Sequence, residues 1–159
     1  MERPVKQPVY LELEPAAAGS PVKAFETVSQ IVGEWCGQHP ASIVPPVVLH
    51  LTRGQGKSDD IEQCAASLTA VQPVAGAVLL YHLIATEDAH TSIVFADQLD
   101  DGESEEIRGL FAHSSLMLER ERLAIEKPAI VNSESRGFVI NGKIDLILDT
   151  VLEILANPE

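Results

Sequence analysis

The sequence predicts an α/β domain, a Rossmann-like three-layer sandwich with a mostly parallel sheet. Apolar runs of strand length alternate along the chain with segments in which apolar residues recur at helical spacing. Such alternation is typical of parallel strands joined by crossover helices. Because no repeat or change of composition divides the 159 residues, we expect a single domain over residues 1–159.

The predicted strands differ in how they should be covered. Residues 9–14 (VYLELE) alternate apolar and polar side chains, which is typical of a strand with one buried face. Val47–Thr52 is a continuous apolar run, so we expect helices on both of its faces. Residues 77–85 form the most hydrophobic segment and are predicted to be the central strand. A short strand is expected at residues 92–96, and residues 137–140 are predicted to form a small strand or an extended turn.

Capping residues mark the starts of the predicted helices. Ser20 precedes a proline, a favoured pair at a helix start, and the helix that follows carries Trp35 on its apolar stripe, where we expect it to be buried. Two further helices are predicted to begin at the N-caps Asp59 and Ser104. Apolar residues at helical spacing predict a final helix over residues 144–155.

Charge and cysteine content restrict the classes of partner. A formal net charge of −13 argues against nucleic acid and against an anionic membrane surface, because both require patches of Lys and Arg. No apolar run approaches the roughly 18 residues of a membrane span. Cys36 and Cys64 lie on apolar-leaning helical positions and are expected to be reduced core thiols. We therefore expect a cytoplasmic protein that binds other proteins or small molecules.

The turn after Val47–Thr52 contains Gly56-Lys57-Ser58, which invites comparison with a nucleotide-binding loop. A phosphate-binding loop needs a first glycine where this chain has Leu51, and Asp59 and Asp60 would bring carboxylates to the anion's place. The sequence pattern therefore argues against a nucleotide-binding site at this turn. A small α/β enzyme or a nucleotide-binding protein that uses the 53–58 turn remains the alternative function.

The wider segment 34–60, EWCGQHPASIVPPVVLHLTRGQGKSDD, resembles the bacterial von Willebrand factor type A (VWA) domain. In that family a helix that ends in Trp is followed by a His-Pro loop, an apolar strand led by Pro-Pro and a Thr-Asp-Gly-Glu turn. Flanking stretches extend the resemblance in the family's order, namely EPAAAGSPVKAF, LLYHLIA, IVFAD, LFAHSSLMLE and SRGFVIN. The resemblance covers most of the chain and implies a VWA-like fold.

The resemblance also implies where a metal site would lie. Members of the family hold Mg²⁺ with an Asp-x-Ser-x-Ser loop, a Thr and an Asp, and the Thr corresponds to Ser20 and the Asp to Arg53. A guanidinium does not ligate a cation. Two alignments of residues 9–21 stay open: they form the second loop of a domain that lacks its first strands, or the first strand, with Glu14, Ala16 and Ala18 at the metal-loop positions. In both alignments we expect no bound metal and no cofactor.

What remains is a non-catalytic protein-interaction module in a bacterial signalling or stress-response assembly. The vestigial positions Ser20, Arg53 and Gln55 are the candidate protein-binding residues, and Arg53 is suited to a partner's carboxylate. If strands are missing from the family fold, Val47–Thr52 or residues 9–14 must form an apolar edge. We therefore expect a homodimer, or a heteromer with a related full-length domain.

Other polar groups are weaker candidates. His50 and His82 lie in strands expected to be neighbours, so they could approach each other across the sheet, and we interpret them as satisfied core histidines and not as a metal site. His113-Ser114-Ser115 cannot supply a nucleophile, a base and an orienting group from adjacent positions. An acidic cluster is interpreted as solvated loop and comprises Glu87, Asp88, His90, Asp97, Asp100, Asp101 and Glu103.

Overall fold

The structure of the protein is a computed structural model, which describes residues 21–41, 45–53, 58–71, 77–86, 92–125 and 131–142. The elements in chain order are α1 (Pro21–Gln38), β1 (Val47–Thr52), α2 (Ser58–Thr69), β2 (Leu79–Ile84), β3 (Ile93–Val94), α3 (Glu105–His113), α4 (Glu119–Ala124) and β4 (Phe138–Ile140). The predicted strand at residues 9–14, the predicted final helix, Ser20 and Gln55 lie outside the described residues.

The strands form one mixed sheet in the order β1-β2-β4-β3. β1 pairs with β2 and β2 with β4 in parallel, whereas β3 pairs with β4 in antiparallel orientation. The predicted α/β class is therefore confirmed. β4 was expected to be a minor strand, but it lies inside the sheet and all three of its residues are buried.

One face of the sheet packs against α1, α2 and α3. Their apolar stripes meet the alternate side chains Leu80 and Ile84 of β2. The buried members of this first cluster are Phe25, Val32, Ala65, Leu68, Val78, Leu80, Ile84, Ile107, Leu110, Phe138 and Ile140. Ser104 caps α3 as predicted, because its hydroxyl accepts a hydrogen bond from the amide of Ile107 at 3.3 Å. α2 begins at Ser58, so the predicted cap Asp59 lies within the helix.

The opposite face has a second, smaller cluster. It comprises Leu83, Phe95, Met117, Ile125 and Val139. Gly137 is pressed against the ring of Tyr81 on this face, and a Cβ at position 137 would overlap that ring. The close approach of the backbone allows the carbonyl of Gly137 to accept the amide of His82 at 2.8 Å, which begins the β2–β4 pairing.

Two burial predictions are wrong. Trp35 is only half-buried and stacks on His39 with the ring centroids 4.8 Å apart, because the buried side of α1 is centred on Phe25 and Val32. β1 has the predicted bounds, but it is not covered on both faces, since Leu49 and Leu51 are 38% and 68% exposed. Cys36 and Cys64 are thiols and are half-buried against the first cluster.

Candidate functional site

The exposed side of β1 is the first candidate surface. Within the described residues β1 is hydrogen-bonded to β2 alone and forms one end of the sheet. The amide of Leu79 donates to the carbonyl of Pro46, and that of Ala85 to the carbonyl of Thr52. In a regular parallel ladder this leaves the amides of Leu49 and Leu51 directed away from β2. We define the edge surface as the outer backbone of β1 together with the side chains of Leu49 and Leu51.

The inner side of the same strand carries a histidine pair. His50 and His82 are in register across β1 and β2, and their Nδ1 atoms are 2.8 Å apart, within hydrogen-bonding distance. The two rings are nearly perpendicular, with centroids 5.0 Å apart, and Phe25 of α1 packs edge-on against His50 at 5.0 Å. The predicted approach of the two histidines is confirmed.

Burial keeps both rings neutral near pH 7. Desolvation lowers the pKa of His82 to about 3, and the neighbouring charges of His50 and His113 act in the same direction. Burial also lowers the pKa of His50, which is only half-buried. His82 is fully buried, and its Nε2 has no hydrogen-bond partner among the residues that the structure describes. The pair therefore lies against the core, as predicted, but the expectation that its polar atoms are satisfied is wrong for the Nε2 of His82 among the described residues.

The carboxyl ends of the strands, where the VWA resemblance implies a metal, have different chemistry. Arg53 is exposed immediately after β1. After β2, Thr86 is bound by Asn141, whose side-chain oxygen accepts the Thr86 amide at 2.8 Å and whose amide nitrogen donates to the Thr86 hydroxyl at 2.7 Å. Asn141 adopts a left-handed backbone with φ 48°, which asparagine tolerates better than most residues. Sequence reasoning missed this Asn–Thr contact, because its members are far apart in the chain.

Of the three site residues predicted from the resemblance, only Arg53 is among the described residues. Ser20 and Gln55 lie outside them. Residues 54–57 of the candidate nucleotide turn are also outside them. Among the residues that are described, no group of three or more His, Cys, Asp or Glu is arranged to hold a metal ion.

The His113-Ser114-Ser115 stretch has a structural role. Ser114 is buried and its hydroxyl donates to the carbonyl of Leu110 at 2.9 Å. The hydroxyl of Ser115 accepts the amide of Leu80 at 2.9 Å. Both hydroxyls therefore hold the chain against α3 and β2.

In the predicted acidic cluster, the carboxylate of Asp97 accepts a hydrogen bond from the side chain of Asn132 at 2.6 Å, and residues 87–90 are outside the described part.

A groove of 440 Å³ lies between α1 and α2. Its lining is mixed, with Val22 and Phe25 on the apolar side and polar groups around them; the remaining members are Glu26, Ser29, Gln63, Cys64 and Ser67. Phe25 separates this groove from His50. The lining includes one carboxylate, Glu26, and one thiol, Cys64.

No protein family, curated protein or solved structure matches this chain. In the described part of the chain, no helix is long and apolar enough to cross a membrane. Inferences about function therefore depend on the chemistry of the edge surface, the histidine pair and the strand ends.

Proposed function

We propose that this chain is a non-catalytic protein-interaction module that binds an extended segment of another protein along the edge surface. One observation carries the proposal: β1 has outward-directed amides and two exposed leucines on the same stretch of chain. An extended segment that adds to such an edge gains main-chain hydrogen bonds, and alternate apolar side chains of that segment can pack on Leu49 and Leu51.

Net charge favours a different protein over a second copy. Two copies would bring together two chains of −13 each, and their repulsion opposes association at low salt. A partner segment with apolar residues at alternate positions, from a protein of neutral or positive net charge, meets no such penalty. A carboxylate at the end of that segment can pair with Arg53, which lies one residue beyond the strand.

We further propose a degenerate, VWA-like and Rossmann-like three-layer fold for the module, which acts without a metal. Support comes from the succession of a helix, an apolar strand and a second helix around residues 34–60, and from the guanidinium of Arg53 at the family's Asp position. A cytoplasmic role in a bacterial signalling or stress-response assembly belongs to the same proposal, by analogy with the family.

The alternative, a small enzyme or nucleotide-binding protein, has less support. Residues 54–57 of its candidate turn lie outside the described residues, and the two serine hydroxyls considered for nucleophilic chemistry are engaged in bonds to the backbone. We therefore keep the interaction module as the function to test first.

Site-specific photo-crosslinking tests the proposal in cells that make the protein. The variant Leu51→p-benzoylphenylalanine places a photoreactive ring on the edge surface, and Leu123→p-benzoylphenylalanine is the control because Leu123 is an exposed apolar residue on α4. We expect crosslinks to a second protein from position 51 and none from position 123. Crosslinks to another copy of this chain would show that the protein self-associates through the edge surface and would contradict a heteromeric partner. Equal crosslinking from both positions would refute the edge surface as the site.

Sedimentation velocity of the purified chain provides an independent measurement. The charge argument predicts a monomer at tens of micromolar in low salt. A dimer that persists at low salt and dissociates in Leu51→Lys, but not in Leu123→Lys, would contradict the heteromeric proposal and favour a homodimer through β1.

A further inference from the structure

The histidine pair connects the edge strand to the centre of the sheet. His50 belongs to β1 and His82 to the fully buried strand β2, so the contact between their Nδ1 atoms joins the two strands through side chains as well as backbone. A contact between two Nδ1 atoms requires that one of them carries a hydrogen and the other does not. The pair therefore exists in one of two arrangements of the hydrogens, and they differ in cost.

The arrangements differ at the buried Nε2 of His82. If His50 donates, the hydrogen of the neutral His82 ring must be on Nε2, where the described residues offer no acceptor. If His82 donates from Nδ1, only an unprotonated Nε2 is left without a partner. Buried donors without an acceptor are rarer in proteins than under-satisfied acceptors. The second arrangement is therefore favoured, because it leaves no buried donor without an acceptor on His82. His50 is half-buried, so its own Nε2 hydrogen lies on the more accessible ring.

We propose that His82 donates its ring hydrogen to His50, and that this bond is an acid-sensitive latch which holds the edge strand β1 in place. A proton taken up by His50 occupies the nitrogen that accepts the bond. The two Nδ1–H groups would then face each other, unless the hydrogen of His82 moves to its buried Nε2. The first outcome breaks the bond. The second keeps a bond, now donated by His50, but leaves the Nε2–H of His82 buried without an acceptor among the described residues, so both outcomes cost free energy in the paired state.

Other titratable groups lie on the helices over the pair. With the charged groups, they are Lys23, Glu26, Glu34 and Cys36 on α1, Glu62 and Cys64 among the described side chains of α2, and Glu105, Glu106, Arg108 and His113 on α3. Of these, His113 acts on His82, and a positive charge on it disfavours a second positive charge at the pair. Phe25 covers His50 on the side of α1. A doubly charged pair is therefore unfavourable in the folded state, and acid favours separation of the two strands.

The latch deepens the proposed function, since it rests on the edge surface as the binding site and makes its shape depend on pH. As the pH falls below the ordinary histidine pKa of 6.5, opening of β1 exposes rings that bind protons more readily than in the folded state. Each ring that is protonated only on opening raises the opening equilibrium by up to about tenfold per pH unit. β1 should loosen at a pH at which the rest of the fold persists.

Two measurements on the unmodified chain test the latch. Long-range ¹H–¹⁵N spectra of the imidazole rings at about pH 7.5 should show His82 protonated on Nδ1 and bare on Nε2. Hydrogen on Nε2 of His82 would overturn the assignment. Amide exchange of His50 and Thr52, corrected for the intrinsic pH effect, should accelerate more than tenfold between about pH 7 and pH 5 relative to Leu110 of α3. Equal behaviour of both regions would overturn the latch.

Variants separate the pair from other histidines. In His39→Asn the acceleration of β1 exchange should be unchanged, because His39 is exposed and contacts Trp35. In His50→Leu the acceleration should be smaller, since one of the two titrating rings is gone. If that variant does not fold, the ring spectra of the unmodified chain still decide the assignment. Crosslinking from position 51 at pH 7 tests the edge surface without reference to the latch, so the two proposals can fail separately.

Discussion

β1 and β2 are adjacent strands of nearly the same composition, VVLHLT and LLYHLI, paired in register with a histidine opposite a histidine. Every residue of β2 is buried, whereas the outer side chains of β1 are exposed. The difference arises from what lies beside each strand. β2 has a strand on both sides and apolar clusters on both faces, and β1 has a described neighbour on one side and helix α1 over its inner face. Composition alone therefore cannot distinguish a central strand from an edge strand.

Gly137→Ala should give the largest effect, because it disrupts the packing against β2. A methyl group at position 137 overlaps the ring of Tyr81, which is itself fully packed, so we expect a loss of about 3 kcal/mol or more, or failure to fold. Gly33→Ala is the matched control. Gly33 lies in the exposed interior of α1 with open space around it, so alanine should stabilise the helix by roughly 0.5–1 kcal/mol. Urea unfolding measures both, and a neutral Gly137→Ala would contradict the close packing on β2.

Leu83→Ala and Leu51→Ala compare the two strands at a single register position. Leu83 is 9% exposed and packs in the second cluster, whereas its partner Leu51 is 68% exposed. We expect a loss of about 2–4 kcal/mol for Leu83→Ala and less than about 0.5 kcal/mol for Leu51→Ala. Similar losses at the two positions would mean that β1 is covered in solution by a part of the chain or by a second copy.

Lowering the pH should destabilise the fold through the histidine pair. Because the pKa of His82 is lowered to about 3, the folded chain binds fewer protons than the unfolded chain below the ordinary pKa of 6.5. Its contribution to stability is fully present above pH 6.5 and is lost as the pH falls towards 3. One such group gives a slope of up to about 1.4 kcal/mol per pH unit, and about 2 kcal/mol is lost by pH 5.

Urea unfolding at about pH 7, 6 and 5 measures that slope. His82→Leu should show a shallower slope, whereas His39→Asn, which changes an exposed ring, should keep the slope of the unmodified chain. Identical slopes in all three proteins would show that the pair does not control the acid response.

Millimolar Mg²⁺ should give the smallest effect, no change in melting temperature. The resemblance implies a metal at the strand ends, but at β1 the carboxylate position is Arg53, whose positive charge opposes a cation. A ligand at 100 times its dissociation constant would add about 2.7 kcal/mol, which calorimetry detects easily. A clear rise in melting temperature would contradict the expectation that no metal binds.

Sequence periodicity was sufficient for the α/β class, for the bounds of β1 and for the cap of α3. These features depend on neighbours within a few residues. The approach of His50 to His82 was also predictable, since consecutive parallel strands joined by a helix are commonly adjacent. The adjacent positions of β1 and β2 in the sheet therefore followed from local sequence patterns and one topological rule.

What could not be predicted depends on distant parts of the chain. The position of β4 between β2 and β3 brings Gly137 onto Tyr81, a contact that no local pattern records. The exposure of Leu51 and the half-burial of Trp35 depend on which elements cover them. At the candidate site, the unsatisfied Nε2 of His82 follows from the three-dimensional surroundings of one ring, so sequence indicated the pair but not its hydrogen-bond deficit.

The strand order also has a consequence for synthesis of the protein. β1, α2 and β2 are consecutive, so they can assemble as soon as they leave the ribosome, whereas β4 enters between β2 and β3 only after residue 140 has been made. Until then β3 lacks β4, its partner among the described strands, and the side of β2 that β4 occupies is open. A nascent chain that stalls within residues 95–137 therefore exposes an unpaired, hydrophobic edge of β2. In that state a chaperone would be needed to prevent aggregation.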